Sequence, residues 1–227
     1  MCFHSLTIFF LNCAGYTLLH RYSFNEGTAS DSVGGSAYAG SLMAGATVTN
    51  NQANFTTSGP YVNLPSGLFG NYTAMSVEAW VTTGVNSASQ TCRLFQFGAS
   101  GTSNTNSLNV RRNSNNNIVL EWVTYSGSSK ACTSLLNFDS QTSMHVVMTV
   151  SAGDYARLYI NGVLQGTTPA VVDSLPPPDV FYFGKAFETA IAGLIGSVNE
   201  FRIWGGALSA IDIATRYSQG PGENYTM

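Results

Sequence analysis

Apolar and polar residues alternate with a period of two over short stretches of the chain, and turn residues separate those stretches. Met75–Thr83 is the clearest case. Val77, Ala79 and Val81 fall on one face and Glu78, Trp80 and Thr82 on the other, the pattern of a half-buried β-strand. Strands are likewise predicted at Leu18–Phe24, Arg93–Phe97, Ser107–Arg111, Ile118–Thr124, Ser143–Val150, Tyr155–Ile160, Val180–Phe183 and Gly196–Trp204. Asp31-Ser32-Val33-Gly34-Gly35 reads as a turn, and Asn113–Asn117 as a loop tip. Asn161-Gly162, between Leu158-Tyr159-Ile160 and Val163-Leu164, predicts a two-residue hairpin, because both residues tolerate positive φ. Pro176-Pro177-Pro178 cannot donate to a ladder and must connect. Ser209 with Asp212 three residues on forms an acidic capping box, so a helix should start there, run to about Tyr217 and end by Gly220-Pro221-Gly222. Together these elements predict an all-β, two-sheet antiparallel jelly-roll sandwich with one short C-terminal helix.

The chain has 227 residues, a length that suits one large β domain with a sizeable core. Charged residues make up only 9% of it, and Gly, Ser, Thr and Asn fill the polar positions. That composition fits a β-rich extracellular domain and not a disordered one. The formal net charge is −3 and Arg111-Arg112 is the one basic pair, read as a solvated strand end, which argues against a nucleic-acid partner. No stretch of 18 apolar residues exists to span a membrane. Residues 1–15 read as a short signal peptide, with apolar Leu6–Leu11 before Cys13-Ala14-Gly15, as a first strand, or as the product of a misplaced start codon. Residues 16–222 form the domain and 223–227 a tail. Cleavage after Gly15 would remove Cys2 and Cys13 and leave Cys92 and Cys132, which would either bridge or stay buried as thiols. Sequons at Asn54, Asn71 and Asn224 would accept glycans in a secretory pathway.

Four segments resemble one family. They are Leu19–Asn25 followed by Ala29–Gly35; Ser76-Val77-Glu78-Ala79-Trp80-Val81; His145–Thr149 followed by Leu158–Val163; and Gly196–Trp204 followed by Ala207-Leu208-Ser209. Their order resembles the laminin-G-like/pentraxin-like group of concanavalin A-like lectin and glucanase folds, over residues 18 to 220. Two positions depart from it: Met144 stands where Trp often precedes the His, and Asn199 where Asp often precedes the Glu.

The resemblance implies a calcium site where the loop after the first strand meets the closing strand. Here it would use Asp31, carbonyls around Gly34, and Asn199 or Glu200, with less charge than an Asp at 199 would give. The alternatives are an Asx-turn role for Asp31 and a Glu200 carboxylate that accepts a hydrogen bond from Arg202 or Arg21. Glucanases of this fold place paired carboxylates on one strand, whereas this chain has 12 acidic residues and no such cluster. For sugar binding, Arg111, Trp122 and Tyr125 with the Asn115–Asn117 loop offer aromatic faces beside hydrogen-bonding groups, as do Tyr182 and Trp204. The expectation is a non-catalytic extracellular module that binds glycan with or without calcium. The alternatives are a protein-binding or structural sandwich and a divergent glycoside-active enzyme.

Overall fold

The computed structural model describes residues 15–84, 91–99, 106–124, 126–139, 142–169 and 179–222. In chain order the strands are β1 (Thr17–Tyr22), β2 (Ser41–Met43), β3 (Thr47–Thr49), β4 (Gln52–Phe55), β5 (Tyr61–Leu64), β6 (Ala74–Thr83), β7 (Cys92–Gly98) and β8 (Ser107–Arg112). They continue with β9 (Asn117–Val123), β10 (Ser129–Asn137), β11 (Ser143–Ser151), β12 (Tyr155–Ile160), β13 (Val163–Pro169), β14 (Val180–Phe183), β15 (Ala192–Gly193) and β16 (Gly196–Gly205). Helix α1 (Ala210–Gln219) follows.

The strands form two sheets of eight. The first runs β13-β12-β11-β6-β16-β4-β3, with β1 also on β16. The second runs β10-β9-β8-β7-β14-β5-β2, with the short β15 lying parallel to β7. The inward residues of both sheets make one core. Phe95, Phe97, Phe181, Phe183 and Phe201 sit at its middle, with Phe97 and Phe181 stacked at 5.2 Å and Phe183 edge-on to Phe201 at 4.9 Å. Each such ring contributes roughly 1.5–3 kcal/mol by leaving water.

The predicted hairpin forms, with Asn161 at φ 51° and Gly162 at φ 78°. The predicted helix forms too, with both halves of the capping box in place: Asp212 N–H donates to Ser209 Oγ at 3.2 Å. Strands β2, β3, β4, β5, β10 and the two-residue β15 were not anticipated. The first four are too short to show a period, and in β10 the apolar pair Leu135 and Leu136 faces solvent.

Helix α1 lies over the outside of the first sheet, where Val147, Tyr159, Trp204, Leu208 and Ile213 form a second apolar cluster. Among the described residues no helix is long and apolar enough to cross a membrane.

The expected bridge between Cys92 and Cys132 is not made; both are free and buried. They lie on β7 and β10, with β8 and β9 between them. Three strand spacings of about 4.8 Å separate the two cysteines too far for a bond that needs Cα atoms within about 7 Å. Burial pushes the thiols up to about 12 and about 11, so both stay protonated.

Candidate functional site

Strand alternation places a row of polar groups across the outside of the second sheet. Asn63 faces Tyr182, Tyr182 faces Gln96, Gln96 faces Asn109 and Asn109 faces Glu121, on β5, β14, β7, β8 and β9 in turn. Their neighbours in sequence, Val62, Leu64, Phe181, Phe183, Leu108, Val110, Leu120 and Trp122, point into the core. The segment after β14 crosses this row. Phe187 N–H donates to Gln96 Oε1 at 3.1 Å, and Glu188 pairs with Arg93 at 3.5 Å.

On one side of that crossing, Arg111 holds Glu121 at 3.0 and 3.4 Å, and Asn109 Nδ2 donates to Glu121 at 3.4 Å. Burial would raise the Glu121 carboxyl, but the Arg111 hydrogen bond and the charges of Arg111 and Arg93 outweigh it and hold the group below its ordinary value. Asn109 Oδ1, Arg93 Nε and Glu188 Oε2 are buried and have no hydrogen-bond partner among the described residues. On the other side, Tyr61 and Tyr182 meet edge-on at 5.2 Å, with Phe187 edge-on to Tyr182 at 5.7 Å. The ammonium of Lys185 lies 4.2 Å from the Tyr61 ring centre and 5.0 Å from that of Tyr182. Tyr61, Asn63, Tyr182 and Lys185 are all half-buried. Aromatic faces beside amide, carboxylate and cationic groups suit a polar ligand with apolar C–H patches.

The outside of the first sheet differs. Glu78 and Glu200 lie on adjacent strands, the carboxylate pair that a glycoside-active site would require, yet both are fully buried. Glu200 accepts from Arg21 at 2.6 Å and from Arg202 at 3.0 Å. Glu78 accepts from Trp204 Nε1 at 3.0 Å, sits 3.0 Å from His145 Nε2 and pairs with Arg202 at 3.6 Å. Burial would raise the Glu78 carboxyl, and His145 and Arg202 together bring it below its ordinary value instead. Trp80 stacks on His145 at 4.2 Å, and Arg216 of α1 covers Trp204 at 3.9 Å. Both carboxylates are buried and held by cations and ring N–H groups, so as placed they brace the sheet.

Of the residues expected to bind sugar, Arg111 reaches the outer face, Trp122 does not, and Tyr125 lies outside the described residues. Trp122 shares strand parity with Leu120 and is core; its alternation with Glu121 was the signal that could have placed it. Trp204 is sealed under α1, whereas Tyr182 does face outward. Tyr61, Asn63 and Lys185 were not anticipated, because the strand and turn that carry them are short; Gln96 lies on the predicted strand Arg93–Phe97, and its alternation with Phe95 and Phe97 was the signal that could have placed it.

The carboxylates expected to hold calcium are already occupied by protein donors. Asp31 Oδ1 accepts from the N–H groups of Arg21, Val33 and Gly34 at 3.0, 3.0 and 2.8 Å, and Oδ2 lies 2.5 Å from His20 Nδ1. Burial pushes the Asp31 carboxyl up, and these donors bring it below its ordinary value. Gly34 lacks a side chain because a Cβ there would collide with the His20–Asp31 pair. Glu200 is held by Arg21 and Arg202, and Asn199 donates instead to the carbonyl of Asn51 at 3.2 Å. Donors rather than open oxygens surround these carboxylates, so as placed they do not fit a cation. Among the described residues no group of three or more His, Cys, Asp or Glu could hold a metal ion. A polar pocket of about 170 Å³ lies beside Asp31, lined by Ser23, Asn25, Glu26, Thr28 and Ser30 among others. It is smaller than the roughly 300 Å³ at which ligand pockets begin.

Asn71 is exposed in a turn, Asn54 is half-buried on β4 with its amide donating to Gln52 O at 2.8 Å, and Asn224 lies outside the described residues.

A laminin G-type family model, described as the concanavalin A-like lectin/glucanases superfamily, matches residues 55–214. No curated protein matches the chain in sequence. Among solved structures, the receptor-binding domain of botulinum neurotoxin mosaic serotype C/D aligns with a TM-score of 0.70 at 16% identity, over 89% of this chain and 51% of that one. The ligand-binding domain of botulinum neurotoxin serotype D, solved in complex with N-acetylneuraminic acid, aligns at 0.66 and 16% identity, over 89% and 50%. Domain 4 of an extracellular arabinanase from Geobacillus stearothermophilus, solved with arabinotriose, aligns at 0.65 and 18% identity, over 88% and 98%. The chain spans about half the length of the toxin chains it matches, and at these identities the likeness carries the fold.

Proposed function

The chain belongs to the concanavalin A-like lectin/glucanases superfamily, and we propose that it is a non-catalytic, extracellular module that binds glycan on the outer face of its second sheet. The observation that carries this reading is the half-buried set Tyr61, Asn63, Tyr182 and Lys185 on a sheet face that, among the described residues, no α-helix covers. The arabinanase domain solved with arabinotriose supports a sugar as the class of ligand. The non-catalytic reading is supported by the kind of neighbours found, which are binding domains, and by the locked state of Glu78 and Glu200.

A glycan array tests it on the full chain, with Tyr182→Ala beside it, in calcium and in EDTA. A defined sugar class should bind the parent protein and be lost in the variant. Binding that persists in EDTA fits the donor-filled surroundings of Asp31 and Glu200, while loss in EDTA would restore a metal. A blank array from folded protein would sink the glycan reading.

A protein partner is the second reading. Leu135 and Leu136 on β10 are 93% and 42% exposed, and Val163 and Leu164 on β13 are 62% and 47% exposed. These two edge strands adjoin, with Ser134 Oγ donating to Gln165 Oε1 at 3.2 Å, so the leucines form one apolar margin.

A further inference from the structure

The cations on the outside of the second sheet are not equivalent. Arg93 pairs with Glu188, and Arg111 pairs with Glu121. Lys185 is half-buried and held by two tyrosine rings, yet it has no carboxylate partner among the described residues. A cation–π contact offsets part of the desolvation of an ammonium but leaves its hydrogen-bond donors open. Beside it, the phenol hydroxyls of Tyr61 and Tyr182 and the amide of Asn63 also have no hydrogen-bond partner among the described residues, although Asn63 and Tyr182 sit directly opposite each other. Met43, opposite Tyr61 on the edge strand β2, adds an exposed apolar side chain beside them. The subsite thus combines an uncompensated positive charge, three neutral polar groups and two ring surfaces.

Resting on the glycan reading above, we infer that this subsite selects an acidic sugar, with Lys185 taking a carboxylate or sulfate group and Tyr182 and Tyr61 supporting the ring that carries it. A neutral sugar would use the rings and the amide but leave the ammonium without its anion. A charge-assisted hydrogen bond at such a site is expected to favour the acidic ligand about tenfold. The rings hold the ammonium in place before binding, so little ordering of a flexible side chain is needed.

Calorimetric titration of the full chain tests this with tetragalacturonate, with a sulfated galactan tetrasaccharide and with neutral galactotetraose. At least one acidic probe should bind about tenfold more tightly than the neutral one, with the margin shrinking as salt rises. Which acidic probe wins identifies the group recognised. Lys185→Gln should bring the acidic probe down to the level of the neutral one, while Lys185→Arg should keep most of the preference. Tyr182→Ala should weaken both classes. Equal binding of acidic and neutral probes by the parent, or an unchanged ratio in Lys185→Gln of normal melting temperature, overturns the inference and leaves the glycan reading standing. No binding to any of these probes, with a blank array, removes both.

Discussion

Glu78 and Glu121 both point away from the core on opposite sides of the sandwich, and their surroundings differ sharply. Glu78 lies beneath α1 and its flanking side chains, fully buried, and meets His145, Trp204 and Arg202. Glu121 lies, half-buried, on a face that no α-helix covers among the described residues, and meets Arg111 and Asn109. Strand alternation supplies polar residues to both faces. Where a helix closes over them, each carboxylate must meet a cation or the sheet would not fold. Where the face stays open, water can stand in for a partner, and groups such as Lys185 and Tyr182 remain free to meet a ligand. Burial therefore separates structural polar groups from candidate binding groups in this molecule, although both arise from the same sequence pattern.

The sharpest way to break the comparison is to remove one guanidinium from each face. Arg202→Met leaves Glu78 and Glu200 buried with less compensation and should cost about 3–5 kcal/mol in urea denaturation. A loss under about 1 kcal/mol would mean that the sealed face is looser than described. The acid limb of stability comes next. The Glu78 carboxyl is held below its ordinary value in the folded protein, so its contribution is complete above the unfolded value of about 4.3 and is lost as pH falls through the folded value. Glu78→Gln should lower stability at pH 7 by about 2 kcal/mol and flatten the fall in melting temperature as pH drops below about 4.3. An unchanged acid limb would assign that fall to other carboxylates; Glu121 and Asp31 shift in the same direction. The smallest effect belongs to the open face: Arg111→Ala should cost no more than about 1 kcal/mol by the same denaturation assay, because its pair with Glu121 is partly solvated. A cost equal to that of Arg202→Met would erase the distinction between the two faces.

Much of the architecture was legible because it rests on local rules. Alternation in 75–83 and 143–150, the Asn161-Gly162 turn and the Ser209–Asp212 cap act over a few residues, so those elements appear where the pattern puts them. Strand β10 was not legible, since its exposed Leu135 and Leu136 break the alternation that marks a strand. The binding set was legible only in part: Tyr182 and Arg111 reach an outer face, while Trp122 belongs to the core.

From its sequence alone, then, this protein is an all-β sandwich whose strands each have an inner and an outer parity, because side chains alternate along any extended chain. Strand order, and with it the partners of every outer residue, is a property of the folded molecule. It separates Cys92 from Cys132 by two strands. It brings Arg21 to Glu200 across 179 residues of chain, and of the two roles open to Asp31, a calcium ligand or an Asx-turn residue, it surrounds the carboxylate with the donors of the turn and His20. It also decides which outer face α1 closes. These are long-range choices, made by which apolar faces bury one another, and no short window of residues contains both partners.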